Sequence, residues 1–161
     1  MSWKGRLDHI HICAKGADAM TELQEAKLVA GQGIEGDRYF LGTGTYSDKP
    51  APDRQVTLIE SETLAALARD HNMELTPVES RRNLTVTGVP LNHLVGKRFR
   101  VGNTVLYGGR LNTPCKYLDD LLGKKLFKLL LNRSGLNCEI VEGGTIRPGD
   151  CIEPISAVGA D

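Results

Sequence analysis

No apolar run in this 161-residue chain is long enough to cross a bilayer as a helix. The first residues, Met1-Ser2-Trp3-Lys4-Gly5-Arg6, lack the apolar centre of a secretory signal. The expected compartment is therefore the cytoplasm, with no membrane partner. Net charge is absent too: 20 Lys and Arg balance 20 Asp and Glu. That argues against a broad basic surface and against a nucleic-acid partner, while leaving room for a small anion pocket built from a few arginines. The four cysteines, Cys13, Cys115, Cys138 and Cys151, contain no C-x-x-C pair, so neither a zinc ribbon nor a thioredoxin-type site fits. In a reducing cytosol they are expected to be free thiols. Internal repeats and low-complexity segments are also missing.

Glycine is plentiful. Its 18 copies gather at turns such as Gly42-Thr43-Gly44, Gly108-Gly109 and Gly143-Gly144. Short apolar runs between glycine turns predict a β-rich domain with added helices, an α+β chain of one domain over residues 1–161. Residues 7–14 alternate and read as a strand with Ile10 and Ile12 on one face. Residues 20–29 fit either a helix or a strand. Residues 31–53 read as a long loop of the kind that often carries function. Residues 55–59 form a strand, and Ser61 is placed to cap a helix running to about His71. Thr76-Pro77-Val78-Glu79 is a capping box with proline at the first helical position. Residues 84–87 form a strand, and residues 98–101 and 104–107 form a hairpin about Gly102-Asn103. Residues 115–132 read as one or two helices with a break near Gly123. Residues 137–141 and 151–155 are expected as neighbouring strands, and the end from residue 156 as a frayed tail.

Cys115 is the leading candidate for chemistry. It follows the strand-like run ending Gly108-Gly109-Arg110 and opens a predicted helix. Unpaired N–H groups at such a turn favour thiolate, the form that attacks, carries sulfur or binds metal. A small buried hydrophobe is the alternative reading. Arg54, Arg81 and Arg82 could hold a phosphate through bidentate guanidinium contacts, with Asn83 adding a directional hydrogen bond. Arg133 is a further candidate at a helix end. Salt bridges to Glu79 and Asp53 are the structural alternative for these arginines. Asp37 and Arg38 are expected to shape the long loop. His9, His11 and Cys13 alternate on one strand face, which would suit zinc if a fourth ligand were at hand. His93 and Tyr107 are conceivable proton donors without support from spacing.

An ordered series of short motifs carries a family resemblance. It runs from Gly33-Ile34-Glu35-Gly36-Asp37-Arg38 through Arg54-Gln55-Val56-Thr57-Leu58-Ile59-Glu60, Arg82-Asn83-Leu84, Leu94-Val95-Gly96 and Val101-Gly102. Pro114-Cys115, Arg133-Ser134-Gly135 and Gly143-Gly144-Thr145-Ile146-Arg147-Pro148-Gly149-Asp150 complete it. In this order the chain resembles a stand-alone MOSC domain, the module also found at the C-terminus of molybdenum cofactor sulfurases. The resemblance implies a compact β-barrel-like fold with peripheral helices. It further implies binding of molybdopterin, the pterin of the molybdenum cofactor, with Cys115 matching the family's functional cysteine.

Three functions follow from that likeness. The first is a molybdoprotein with Cys115 as metal ligand, reducing N-hydroxylated compounds with electrons from a separate flavin or iron–sulfur protein. The second is a sulfur carrier or transferase that takes persulfide sulfur on Cys115 from a cysteine desulfurase. The third is a non-catalytic binding or assembly module. Metal and persulfide need the same residue, so the sequence leaves them both open.

Overall fold

In the computed structural model, which describes residues 3–45, 47–48 and 51–155, the chain is organised around a closed barrel. Its strands are β1 (Gly5–Ile12), β5 (Val56–Glu60), β6 (Leu84–Thr87), β7 (Arg98–Val101), β8 (Thr104–Leu111), β9 (Leu136–Glu142) and β11 (Cys151–Pro154). Hydrogen bonding runs β11-β7-β8-β9-β5-β6-β1, and β1 pairs back onto β11 through Gly5 opposite Ile152. Closure leaves these strands without the open edges that would invite pairing with another chain. β2 (Thr21–Leu23) extends β1, while β3 (Ala26–Val29), β4 (Gly33–Ile34) and β10 (Gly144–Ile146) form a small second sheet.

Apolar alternation explains the core. Leu7, Ile10, Val56, Leu58, Leu84, Val86, Phe99, Leu106 and Ile140 point inward and are almost wholly buried. β5 and β6 are parallel. Parallel neighbours need a crossover, supplied here by α2 (Ser61–His71) and α3 (Pro77–Ser80). A second apolar cluster, with Ile59, Leu67, Leu118, Leu126 and Leu130, packs outside the barrel wall.

The β-rich class, the capping box and the hairpin stand as the sequence indicated. Thr76 accepts from Glu79 N while the Glu79 carboxylate accepts from Thr76 N. Elsewhere the outcome differs. The ambiguous stretch at 20–29 is β2 and β3, because Ala26 and Leu28 are buried while Lys27 is exposed, a period of two. Glu60, not Ser61, occupies the cap position of α2. The segment 31–53 contains β4 and a short helix α1 (Arg38–Leu41). Gly31-Gln32-Gly33-Ile34-Glu35-Gly36 has the G-x-G-x-x-G spacing of a dinucleotide-binding turn. β4 lies within it, antiparallel to β3, and only the four-residue α1 follows, so there is no strand–helix–parallel-strand unit to give the motif its physical basis. The expected tail from residue 156 lies outside the described residues.

The helical expectation for 115–132 holds only in its first half, α4 (Lys116–Leu122). The Asp119 carboxylate accepts from the backbone N–H of Leu126 at 3.0 Å and of Phe127 at 3.4 Å. Those bonds pull the chain back into a series of turns in place of a second helix. β9 and β11 are not neighbours, since β8 and β7 lie between them, so Cys138 and Cys151 never approach as paired strands would allow.

Candidate functional site

A cavity of about 300 Å³ opens where the end of β8, the loop to α4, α1 and the corner after α3 meet. Five arginines line it: Arg38, Arg54, Arg81, Arg82 and Arg110. Cys115 lines it as well, half-buried at the residue before α4 in extended backbone. Among the described residues Asp119 is the only carboxylate in the wall, and both its oxygens face backbone amides. Leu118, Phe127 and Leu130 supply an apolar side; Thr57, Asn112, Ser134 and Asn137 supply neutral polar groups. The result is a concave, cationic pocket with one thiol.

Each arginine is positioned differently. Arg38 is almost fully buried, with Nη1 3.0 Å from Asp37 Oδ1 and Nη2 donating to the Arg81 carbonyl at 3.2 Å. Asp37 also accepts from Cys13 N at 3.2 Å and caps α1 through Tyr39 N, so this pair does shape the loop. Arg81 follows α3 with φ 61°, a left-handed conformation that costs a non-glycine residue about 1–2 kcal/mol. Arg81 Nη1 donates to the Asp18 carbonyl at 2.7 Å, and Nη2 lies 3.7 Å from Cys13 Sγ. Arg110 pairs through Nε with Asp53 at 2.8 Å. Gly109 allows that approach, since a Cβ there would sit 2.4 Å from Asp53 Cβ.

Of the residues singled out from sequence, Cys115, Arg54, Arg81 and Arg82 meet at this cavity. Asn83 does not. It is fully buried, its Oδ1 accepts from Thr57 N at 3.0 Å, and its Nδ2 donates to the His11 carbonyl at 3.1 Å. Asn83 therefore staples β5, β6 and β1 and has no access to a ligand. Arg133 also lies elsewhere, in a shallow groove with Glu60 and His93, with Nε bonded to the Leu129 carbonyl at 2.7 Å. Tyr107 is not among the lining residues. Arg110, Asn112 and Asn137 were not singled out from sequence, and Arg38 and Ser134 were read only as a loop residue and as part of a motif, not as lining residues. Arg110 and Asn112, alternating just before Cys115, carried a signal that period-two reading would have found.

On the strand face of His9, His11 and Cys13, the first and last of these side chains are engaged within the chain. Glu22 engages His9 Nδ1 at 2.8 Å, and Cys13 Sγ donates to the Lys15 carbonyl at 3.2 Å. No group of three or more His, Cys, Asp or Glu among the described residues is arranged around a metal position. None of the four cysteines is in a disulfide. Burial, reinforced by Asp53, pushes the Cys138 thiol well above its ordinary value. No helix among the described residues is long and apolar enough to cross a membrane.

A family model described as MOSC domain matches residues 34–153. No curated protein matches in sequence. Among solved structures, the YuaD protein from Bacillus subtilis is similar with a TM-score of 0.80 at 19% identity, over 95% of this chain and 96% of that one. YiiM from Geobacillus stearothermophilus aligns with a TM-score of 0.73 at 15% identity, covering 97% of this chain and 78% of the other. YiiM from Escherichia coli aligns at 0.68 and 20% identity, covering 95% and 71%. At these identities the likeness concerns the fold.

Proposed function

The chain belongs to the MOSC domain family, which is associated with molybdenum cofactor binding, and on that premise we propose that the cavity holds this cofactor with Cys115 as a metal ligand. One observation carries the reading: Cys115 and arginines drawn from separate segments open on the same cavity. The residues fit the group at both ends. Thiolate is a soft donor suited to a redox metal with sulfur ligands. Guanidinium matches phosphate, and here the single carboxylate in the wall is occupied by amides. Phe127 and Leu130 offer an apolar side against which a flat ring can lie.

When bound, the cofactor supplies a two-electron centre suited to reducing the N–O bond of an N-hydroxylated compound. The residues of this chain bind and orient: Arg54 and Arg110 in the cavity wall hold the anionic end, and the apolar side limits water at the other. Reducing equivalents enter from a separate flavin or iron–sulfur protein, because the scattered cysteines do not have the spacing of a cluster site.

The test is the molybdenum and pterin content of the protein expressed with molybdate in a cofactor-competent host. Near-stoichiometric metal and pterin are expected. Absence of both would contradict the reading, and sulfane sulfur on Cys115 in their place would establish the sulfur-carrier function.

A further inference from the structure

We propose that Arg82 is a positioning residue for Cys115, acting through Asn112, and not a ligand for the anion. This goes beyond the cofactor reading, because it concerns how the chain holds its cysteine whatever Cys115 binds.

A guanidinium has five N–H donors in a rigid fork. Arg82 directs four hydrogen bonds to protein acceptors. Nε donates to the Ser134 carbonyl at 3.0 Å, Nη1 to the Ser80 carbonyl at 3.1 Å, and Nη2 to Ser134 Oγ at 2.9 Å and Asn112 Oδ1 at 2.6 Å. These acceptors belong to the end of α3, the segment entering β9 and the loop between β8 and α4. Arg82 is thus the joint at which three segments are fastened beneath the cavity. Arg110, in contrast, contacts its single carboxylate through Nε with its side chain two-fifths exposed, the geometry of a group still able to take an anion.

Asn112 is the arm of the joint. Its N–H donates to the Gly135 carbonyl at 2.8 Å, its Nδ2 donates to Asn137 Oδ1 at 2.9 Å, and its Oδ1 accepts from both Arg82 and Ser134 Oγ. Only Thr113 and Pro114 separate it from Cys115. The Pro114 ring fixes φ, and the proline restricts the backbone of Thr113 before it. Pro114 is itself buried. With so few soft torsions between them, fixing Asn112 fixes the place of Cys115 in the wall.

The experiment is site-resolved alkylation by iodoacetamide, read by peptide mass spectrometry on the protein as purified. Half-buried Cys151 serves as a control away from the cavity; buried Cys13 and Cys138 report global loosening. Arg82→Gln and Asn112→Ala are each expected to raise the Cys115 rate about fivefold, and the double variant no further, because both cut one tether. Cys151 should keep its rate, and Cys13 and Cys138 should stay protected. An unchanged Cys115 rate, or effects that multiply in the double variant, would overturn the assignment. If Arg82→Gln exposes Cys13 and Cys138, Arg82→Lys decides. A point charge cannot span the four acceptors, so the Cys115 rate should still rise. A wild-type rate in that variant would show that charge alone suffices. The readout requires no cofactor, so it stands or falls separately from the molybdenum reading.

Discussion

Arg38 donates through Nη2 to the carbonyl of Arg81 at 3.2 Å, so two arginines far apart in sequence brace one another in the cavity wall. The brace rests on a buried ion pair, Arg38 with Asp37, whose side chains are 9% and 0% exposed. Removing one member of a buried pair leaves the other charge uncompensated. Arg38→Met is expected to destabilise the fold by about 3 kcal/mol in denaturant unfolding. Arg38→Lys should recover little of this, since one ammonium cannot serve both the carboxylate and the Arg81 carbonyl.

Gly135 is required twice over. Its φ of 113° is closed to side chains, and a Cβ there would meet the Leu58 carbonyl oxygen at 2.1 Å. Its own carbonyl accepts from Asn112 N. Gly135→Ala should cost about 3 kcal/mol and disturb the Cys115 loop together with the fold, as unfolding and Cys115 alkylation would record.

The capping box of α3 gives a milder prediction. Thr76→Ala removes the acceptor for Glu79 N and should cost about 1 kcal/mol in thermal or chemical unfolding. Glu79 is held below its usual range, first by the Thr76 N–H and also by Lys124, so its share of stability should fade as pH drops below 4.5.

His11 makes stability depend on pH nearer neutrality. Burial pushes it below its ordinary 6.5; Glu22 opposes that shift and His9 adds to it. The unfolded chain therefore takes up a proton at a pH where folded His11 resists one. Stability should fall as pH drops below 6.5, and His11→Gln should flatten that slope between pH 7 and pH 5. Equal slopes in urea titrations of the two proteins would remove His11 from the account.

What was legible in the sequence was mostly local. The Thr76 box, the Gly102-Asn103 hairpin and the 84–87 strand depend on neighbouring residues, and each formed as read. Cys115, Arg54, Arg81 and Arg82 also converge. Arg38 reaches the cavity only because the chain folds α1 back against the barrel, and nothing adjacent to it announces that, whereas Arg110 and Asn112 alternate toward Cys115 and could have been read locally. Asn83 looked like a ligand beside Arg82, yet its amide is used between strands. The pairing of β10 with β3 joins Ile146 to Ala26 across most of the chain, beyond what periodicity can report. The missing second helix after Gly123 turns on one side chain, Asp119, outcompeting the helical hydrogen bonds.

The function proposed for the cavity turns on Cys115 as a ligand to molybdenum. The most direct measurement is X-ray absorption at the molybdenum edge on loaded wild type and on Cys115→Ser. One fewer sulfur neighbour around the metal is expected in the variant. An identical sulfur shell in both proteins would contradict it.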